Sequence, residues 1–259
     1  MNGATLEEIK QKLNLALYRY WQRRFDRYLK WAKIRTSGLE KIVSAGPALL
    51  APNHSNWKDI PLLGTLIQRP IHFVATFQLF DRKLCHEFLD QYFIKICHNQ
   101  TLKGLIHHFN RFLSKFLVDR ITQLGCIPAK MELSKYNFIE SAKAILTLNR
   151  LMCVFPEGTL STPEKLKRFK FGIAKIVYDY YLEFQKSIPT FPVGINGTHK
   201  FYYSGIELEI NVGSPLYIEQ FIEASERRTL KNFVNELRNS VQRLINCQDN
   251  QLFSNKCGE

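Results

Sequence analysis

The sequence has no uncharged apolar run long enough to cross a bilayer. A transmembrane helix needs about 18 or more consecutive apolar residues, and no window of this 259-residue chain supplies them. The first residues are interrupted by charged side chains and lack the apolar stretch of a secretory signal peptide. We therefore expect any attachment to a membrane to be superficial.

Closely spaced cysteines are missing as well. The chain has six cysteines but no C-x-x-C pair and no short spacing of the kind that binds zinc. Two of them, Cys126 and Cys153, lie in apolar, strand-like runs. We expect reduced, mostly buried thiols in a protein that faces the cytosol, with no disulfide framework and no metal site.

Acidic residues are outnumbered by basic ones. The chain has 36 Lys and Arg residues against 23 Asp and Glu residues, which gives a formal net charge of +13 and a pI of about 9.5. This excess predicts an anionic partner: nucleic acid, an anionic membrane surface, or an acidic substrate or carrier protein. Nucleic acid is disfavoured, because no helix-turn-helix, RNA-recognition or zinc-finger pattern is present.

The basic excess is concentrated in residues 1–36, which hold nine basic and three acidic side chains. Residues 5–35 contain no Gly or Pro, and their apolar side chains recur at three- or four-residue steps, which predicts one long amphipathic helix or a helical pair. Such a helix suits a membrane surface, although a helix packed on the domain with a solvated basic face has the same pattern. The aromatic and basic side chains concerned are Trp21, Phe25, Tyr28, Trp31, Arg19, Arg23, Arg24, Arg27, Lys30 and Lys33.

From residue 37 onward, short apolar runs alternate with helical stretches. The pattern indicates an α/β fold with a mixed, largely parallel sheet flanked by helices, preceded by the N-terminal amphipathic helical segment. The first five strands are nearly continuous apolar runs, as in strands covered on both faces, whereas the last alternates and is expected at an edge. Strands are predicted at 47–52, 71–76, 125–129, 151–155, 191–195 and 207–213, and helices at 58–68, 81–118 in pieces, 134–149, 169–186 and 229–246.

Two polar segments interrupt this pattern, each at the end of a predicted buried strand. The first, residues 53–59, reads NHSNWKD. Side chains at this edge of an α/β sheet face the usual ligand crevice. His54 could therefore act as a general base whose tautomer Asp59 holds. Taken alone, the segment also fits a polar turn with a surface histidine.

The second segment, residues 155–161, reads FPEGTLS. It places the carboxylate of Glu157 at the mouth of a strand, and Gly158 permits a tight turn. Backbone amides exposed there could receive an oxyanion or a phosphate. An ordinary turn with an incidental glutamate is the alternative when this segment stands alone.

Together and in this order, the two segments resemble the signature blocks of the 1-acyl-glycerol-3-phosphate acyltransferases and their glycerolipid relatives. The blocks of that family read N-H-x-S-x-x-D and F-P-E-G-T-R-S, and residues 53–59 and 155–161 correspond to them. Residues 169–172, FKFG, are similar to a family-like F-K-x-G, and residues 191–194, FPVG, to a later strand ending in Pro-Val. The resemblance covers residues 38–245.

The resemblance implies an acyltransferase mechanism. His54 would take the proton from an acceptor hydroxyl while that hydroxyl attacks the thioester of acyl-CoA or an acyl-carrier protein. Asp59 would orient His54, and backbone amides would hold the oxyanion. Glu157, Gly158 and Thr159 would help to position the acceptor. Because the acceptor supplies the nucleophile, no acyl-enzyme is implied, and no cofactor beyond the acyl thioester co-substrate.

Three positions depart from the family pattern. Leu160 and Met131 stand where the family usually has arginine, and Asn56 stands where it usually has serine. Because arginine suits a phosphate, these departures leave the identity of the acceptor open. The side chains that could substitute as point charges are Lys130, Lys170 and Arg168.

The resemblance predicts a membrane-associated enzyme of phospholipid biosynthesis that acylates a lysophospholipid, with 1-acyl-glycerol-3-phosphate (lysophosphatidic acid) as the favoured acceptor. The alternatives are a lipid hydroxyl without a phosphomonoester, such as a lyso-ornithine lipid, and a non-catalytic lipid-binding protein on the same fold. We expect a peripheral protein on the cytoplasmic face of a membrane, with an anionic lipid surface as a partner. Residues 1–36 would form the basic segment, 37–247 the catalytic domain and 248–259 a polar tail.

Overall fold

The computed structural model describes residues 13–94, 100–129, 138–161, 166–200 and 205–254. Helices and strands alternate along most of this part of the chain, as the sequence predicts. The elements are α1 (Leu15–Leu29), β1 (Lys33–Ser37), β2 (Ala48–Pro52), α2 (Asp59–Leu66), β3 (Ile71–Thr76), α3 (Arg82–Ile94), α4 (Gln100–Ile121), β4 (Ile127–Ala129), α5 (Phe138–Thr147), β5 (Leu151–Cys153), α6 (Gly172–Phe184), β6 (Thr190–Asn196), β7 (Glu207–Val212) and α7 (Glu226–Ser254).

The described strands form one seven-stranded sheet in the order β1-β7-β6-β2-β5-β3-β4. All neighbouring strands are parallel except β6 and β7, which are antiparallel. The predicted α/β class, with a mixed and largely parallel sheet flanked by helices, is confirmed. The central strands β2 and β5 are wholly buried, as expected of apolar runs covered on both faces.

Alternate residues of β2 point to opposite faces of the sheet. Leu49 and Ala51 belong to an apolar cluster that α5, α6 and α7 cover, whereas Ala48 and Leu50 belong to a second cluster that α2 covers. Leu29, from the last turn of α1, is part of that second cluster. A fully buried leucine of this kind contributes ~1.5–3 kcal/mol, so α1 is tied to the sheet by packing.

Helix α1 is shorter than the predicted helix at 5–35. It begins after Asn14, whose side chain accepts the Leu17 N–H at 3.0 Å as an N-cap. It ends at Leu29, and Lys33–Ser37 is the strand β1, paired in parallel with β7. The prediction of helix for residues 33–35 is therefore wrong, because sheet pairing overrides the local helical pattern. Residues 5–12 of the predicted helix lie outside the described residues.

Strand β7 does not lie at an edge of the sheet, contrary to the prediction for residues 207–213. It is paired on one side with β6 and on the other with β1. The alternation of polar and apolar residues in β7 has another cause. Asn211 lies on the opposite face from the apolar residues and donates to the carbonyl oxygen of Leu244 in α7 at 3.0 Å. Helix α7 also continues to Ser254, past the predicted helix end at residue 246.

Polar contacts dock α1 against α2 and the start of β3. The Ile71 N–H donates to Tyr18 Oη at 3.2 Å, and Gln22 Nε2 donates to the carbonyl oxygen of Gly64 at 3.0 Å. Burial raises the pKa of Tyr18 to about 12, so its hydroxyl keeps its proton at any physiological pH. These contacts make α1 part of the folded domain.

The described cysteines agree with the expectation of free, mostly buried thiols. Cys85 and Cys153 are buried, Cys126 is half-buried, and none of the three forms a disulfide. Burial raises the pKa of Cys85 to about 11 and that of Cys126 to about 12, so both stay protonated near neutral pH. In the described part of the chain, no helix combines the length and the hydropathy that a membrane span requires.

Candidate active site

The two polar segments meet at one edge of the sheet. Strands β2 and β5 are parallel neighbours, with Leu50 opposite Cys153. Because the carboxyl ends of parallel strands lie at the same edge, the turn that follows β2 and the turn that follows β5 are brought side by side. We call them the first turn (residues 53–59) and the second turn (residues 154–161).

His54 and Asp59 form a hydrogen-bonded pair within the first turn. His54 Nδ1 lies 2.9 Å from Asp59 Oδ2. A carboxylate oxygen can only accept, so the proton of this hydrogen bond belongs to Nδ1. That tautomer leaves the lone pair of the imidazole on Nε2. The His54 side chain is 16% exposed, which is enough for a reactant to approach it.

The carboxylate of Asp59 is completely buried yet held by backbone amides. Oδ2 accepts the N–H groups of Ser55 and Asn56, both at 2.9 Å, besides the His54 ring. Asp59 is also the first residue of α2, where the helix dipole favours negative charge. The first turn thus wraps around Oδ2 and compensates for part of the burial of the carboxylate, whose Oδ1 has no hydrogen-bond partner in the described part of the chain.

Phe155 fixes the plane of the His54 ring from the second turn. The two rings are stacked, with centroids 3.9 Å apart and an angle of 24° between their planes. Stacking from one side and a hydrogen bond at Nδ1 leave the imidazole little rotational freedom. The imidazole ring is therefore held in one orientation before a reactant arrives.

Glu157 links the two turns through hydrogen bonds. Oε1 accepts the His54 N–H at 2.9 Å and the Ser161 hydroxyl at 3.2 Å, while Oε2 accepts the Lys167 N–H at 2.8 Å. The residue is only 2% exposed. Ser161 N–H in turn donates to the His54 carbonyl oxygen at 2.7 Å. The Glu157 carboxylate is therefore occupied in holding the backbone of His54.

Side chains on both sides of His54 anchor the first turn to β6 and the segment after it. Asn53 donates to the carbonyl of Ile195 at 2.9 Å and accepts its N–H at 2.7 Å, which extends the pairing of β2 with β6. The hydroxyls of Ser55 and Thr198 are 2.8 Å apart. Lys58 Nζ donates to the carbonyl of Lys200, and burial lowers the pKa of this lysine.

Two lysines flank the glycine of the second turn. Gly158 has φ +69°, and a Cβ at this position would lie only 2.6 Å from Lys170 Nζ. Lys167 Nζ donates to Thr159 Oγ1 at 3.2 Å and to the carbonyl of Leu160. The signature blocks have an arginine at the position of Leu160. Here the two lysines bring positive charge to the same exposed turn.

A family model described as Acyltransferase matches residues 33–196, which is more than half of the chain and includes both turns. The chain belongs to the acyltransferase family. The enzyme class predicted from the sequence, an acyltransferase, is thereby confirmed.

The fold of this acyltransferase is similar to that of a solved relative. The crystal structure of the 1-acyl-sn-glycerophosphate (LPA) acyltransferase PlsC from Thermotoga maritima matches it with a TM-score of 0.53, over 88% of this chain and 78% of that chain. Sequence identity is 18%, so the match speaks for the fold. No curated protein matches the sequence.

Most of the site residues predicted from the sequence lie in the two turns, but not all of them do. His54, Asp59, Glu157, Gly158 and Thr159 lie in the two adjoining turns. Lys170 lies beside Gly158, whereas Arg168 is exposed on the surface nearby. Lys130 and Met131 lie outside the described residues.

Sequence reasoning missed three participants at this site. Lys167 was passed over because the signature blocks assign it no role, and Thr198 because it follows β6, far from both turns in sequence. Asn53 was noted only as part of a block, although its paired hydrogen bonds to Ile195 hold the first turn. An asparagine directly after a buried strand was the available signal for it, since a buried amide must find partners.

Among the described residues, one further group has donors that suit a divalent metal: His86 and Asp90 on α3 with His107 on α4. His107 Nδ1 and His86 Nε2 lie 2.6 Å and 3.4 Å from Asp90 Oδ2, and Asn110 donates to Asp90 Oδ1 at 2.8 Å. These hydrogen bonds use both carboxylate oxygens of Asp90, so they account for the cluster by themselves. The group belongs to helices and not to the two turns.

Proposed function

We propose that this acyltransferase transfers a fatty acyl group from an acyl thioester, acyl-CoA or acyl-carrier protein, to a hydroxyl of a lysophospholipid, with 1-acyl-glycerol-3-phosphate as the acceptor. The observation that carries the proposal is the His54–Asp59 pair, 2.9 Å apart at the carboxyl ends of adjoining parallel strands. It supplies an oriented base beside an exposed turn that bears positive charge.

In the proposed reaction, Nε2 of His54 accepts the proton of the acceptor hydroxyl as its oxygen attacks the thioester carbon. A tetrahedral oxyanion forms, and its collapse breaks the carbon–sulfur bond. The proton on His54 then passes to the departing thiolate, which leaves as a thiol, and the ester product carries the acyl group. Asp59 keeps Nδ1 protonated and stabilises the imidazolium. No cofactor takes part in these steps.

We assign Glu157 a positioning role that acts through His54. Its two oxygens are engaged by the N–H groups of His54 and Lys167 and by the Ser161 hydroxyl. A buried carboxylate with these partners sets the distance between the two turns. Thr159, on the exposed part of the second turn, is better placed to meet an acceptor.

Lys167 and Lys170 are the proposed partners of the acceptor phosphate. Both ammonium groups lie against the Gly158–Leu160 turn, and Lys130, which the sequence also nominates, stays a candidate. A lysine binds phosphate as a point charge without the fork of an arginine. We therefore expect selectivity for a phosphomonoester to be weaker here than it would be with arginine at position 160.

The half-buried Leu160 favours a second acceptor class, a lysolipid without a phosphomonoester. The variant Leu160→Arg separates the two. If the acceptor carries a phosphomonoester, this change should improve its use. If the acceptor is zwitterionic or lacks phosphate, the added charge should impair it. Neither alternative changes the role of His54.

The first test of the proposed function is the variant His54→Ala, assayed with a short-chain, water-soluble lysolipid and an acyl thioester. Loss of a general base lowers the rate by ~10²–10⁴-fold. The matched control is His108→Ala, an exposed histidine of α4, which should keep wild-type turnover. Turnover of His54→Ala within a few-fold of wild type would remove His54 from the mechanism.

The second test addresses the phosphate. Lys167→Ala should raise the KM for lysophosphatidic acid more than it lowers kcat, because lost ground-state binding has that signature. Lys186→Ala, an exposed lysine after α6, is the control. An unchanged acceptor KM in Lys167→Ala would exclude Lys167 from the phosphate contact. An unchanged KM in Lys170→Ala and Lys130→Ala as well would favour the acceptors without a phosphomonoester.

A lipid acceptor requires the enzyme to work at a membrane surface, and we propose peripheral attachment at the cytoplasmic face, where acyl-CoA and acyl-carrier protein are found. The formal net charge of +13 suits an anionic lipid surface. Exposed basic residues of α1, Arg23, Arg24 and Arg27 among them, support this attachment. With a lysophospholipid as its acceptor, the proposed role of this acyltransferase is in phospholipid biosynthesis.

A further inference from the structure

Helix α4 carries its largest apolar side chains on its solvent face. Leu105, Phe109 and Phe112 are 65%, 60% and 70% exposed, and Leu102 and Phe116 continue the row at its two ends. The spacing of three and four residues places all five on one side of a helix. A continuous apolar row on a protein surface marks an interaction site.

The side of α4 that faces the protein has buried polar side chains. Asn110 and Ser114, four residues apart, are buried, and Asn110 donates to the carboxylate of Asp90 on α3. Among the described side chains of α4, the two that are buried are thus polar, whereas the aromatic ones are exposed. A helix on the surface of a water-soluble domain normally does the reverse. Packing against the rest of the described chain therefore does not explain the aromatic row.

Helix α1 continues this row. Trp21 meets the ring of Phe116 edge to face, with centroids 6.2 Å apart, and Tyr20 packs against Trp21 at 5.6 Å. Tyrosine and tryptophan favour surfaces where an apolar body and a polar tip are both accommodated. We define the α4–α1 face as Leu102, Leu105, Phe109, Phe112, Phe116 and Trp21.

The charges around the α4–α1 face are mostly positive. Helix α4 has four basic residues and one acidic residue, Asp119, which pairs with Arg82 at 3.0 Å. Helix α1 likewise has four basic residues against Asp26. Arg120 lies over the ring of Phe116, 5.7 Å from its centroid. The exposed Arg111 and Lys115 lie beside the apolar row.

An exposed apolar row with basic side chains around it indicates which kind of partner binds the α4–α1 face. Two copies of the chain meeting here would bring their basic side chains together, and like charges at an interface are repulsive. A surface that is apolar within and anionic outside is complementary in both respects. An aromatic row flanked by Lys and Arg is the composition of a helix that lies in the headgroup region of a bilayer.

We propose that the α4–α1 face is the surface on which this protein docks onto an anionic lipid bilayer, with α4 lying in the headgroup region. The inference deepens the proposed function, on which it rests for its lipid acceptor. It places the centre of attachment on α4, between β3 and β4, whereas the sequence pointed to residues 5–35 alone. Phe109 and Phe112 are the side chains that enter most deeply.

The test is cosedimentation of the full chain with vesicles of phosphatidylcholine and phosphatidylglycerol. The double variant Phe109→Ser/Phe112→Ser should bind at least about tenfold more weakly, because two phenylalanines lose their apolar burial. The matched control is Leu182→Ser/Ile222→Ser, which removes two large, exposed apolar side chains elsewhere, and it should bind like wild type. All four replaced side chains are exposed, so both variants should keep their fold.

A second variant tests the charge. Arg111→Glu/Lys115→Glu should bind these vesicles about tenfold or more weakly, since each basic residue near an anionic surface contributes about fivefold. Added salt should reduce the difference between this variant and wild type. Binding of this variant at wild-type strength would remove the charge argument for a lipid occupant.

Two outcomes would overturn the docking proposal. One is vesicle binding by Phe109→Ser/Phe112→Ser within about twofold of wild type. The other is a wild-type dimer in solution that the same substitutions dissociate, because the face would then belong to a second copy. Failure of the proposed function is distinguishable. A protein that binds vesicles through this face yet acylates no lysolipid, soluble or vesicle-borne, keeps the docking proposal and loses the acyltransfer proposal.

Discussion

The two turns at the ends of β2 and β5 and the helix α4 treat polar and apolar side chains in opposite ways. In the turns, the carboxylates of Asp59 and Glu157 are buried and each is hydrogen-bonded by several donors. On α4, aromatic side chains such as Phe112 stand in solvent. The two turns bury charged side chains, whereas α4 leaves apolar side chains exposed.

A group that is buried has its partners within the chain, whereas an exposed apolar group is free to meet another molecule. The turns hold their own partners within the chain, so His54 is oriented before any reactant arrives. The aromatic row of α4 has no comparable cover among the described residues. Substitutions in the turns should therefore change chemistry and stability together, whereas substitutions on the outer face of α4 should change neither.

The largest expected effect comes from breaking the His54–Asp59 pair. In Asp59→Asn, the new side chain has nearly the same volume but carries no negative charge. The His54 ring and the two backbone N–H groups that now bond Oδ2 would lose their carboxylate partner. We expect turnover of a soluble acceptor to fall by ~10²–10⁴-fold. Phe112→Ser is the counterpart on α4 and should leave the same assay unchanged. Normal turnover in Asp59→Asn would show that the base needs no carboxylate.

A second pair of variants compares stability. Phe233 of α7 is fully buried between the sheet and the helices, so Phe233→Ala should lower the free energy of unfolding by ~3–5 kcal/mol. Phe112→Ala should change it by less than about 0.5 kcal/mol, because the side chain is exposed. Urea unfolding curves of both variants measure the difference. A large loss in Phe112→Ala would mean that α4 packs its aromatic face within the protein.

A smaller loss is expected from Glu157→Ala. The N–H groups of His54 and Lys167 would lose their acceptor, and each buried unsatisfied donor costs ~1–3 kcal/mol. Glu207→Ala is the control, since both members of its pair with Arg35 are exposed and the pair should contribute little. Unfolding by urea, read together with turnover, tests the positioning role. Full stability with lost activity would instead indicate direct contact with a reactant.

The smallest effect is the pH dependence that His72 confers. Burial lowers the pKa of His72 below its ordinary 6.5, and its Nδ1 donates to the carbonyl of Gly125 at 2.9 Å. Below pH 6.5 the unfolded chain then binds a proton that the folded chain does not, so stability is full above that pH and falls as the pH is lowered further. In His72→Gln, the urea midpoints at pH 7 and pH 5.5 should differ less than in wild type. Equal differences would assign the pH dependence to other groups.

Strong local patterns made most of the fold predictable. Apolar runs of five or six residues between turn signals located β2 and β3 to within a residue, because both faces of these strands are covered. Strand β1 was not predicted, since Lys33, Ile34 and Arg35 belong to the window that has helical spacing, and only the pairing with β7 separates the two states.

The candidate site was predictable where its members are close in sequence. His54 and Asp59 are five residues apart, and the end of β2 with the start of α2 brings them into contact. Lys167 and Thr198 could not be assigned to the site in this way. Thr198 contacts Ser55 because β6 returns the chain to the same edge of the sheet, whereas Lys167 reaches back to Thr159 from its position before α6.

The sequence by itself determined the α/β alternation and the order of the two polar segments, because these follow from short-range periodicity and residue chemistry. Its resemblance to the acyltransferases nominated His54 and Asp59 as the proposed base and carboxylate. The tertiary structure alone decided that β2 and β5 are neighbours, that Glu157 holds the backbone of His54, and that α4 turns its aromatic side chains outward. The physical reason is the same in each case. A helical or strand pattern shows which side chains share a face, but only the packed neighbours determine whether that face is buried or meets another molecule.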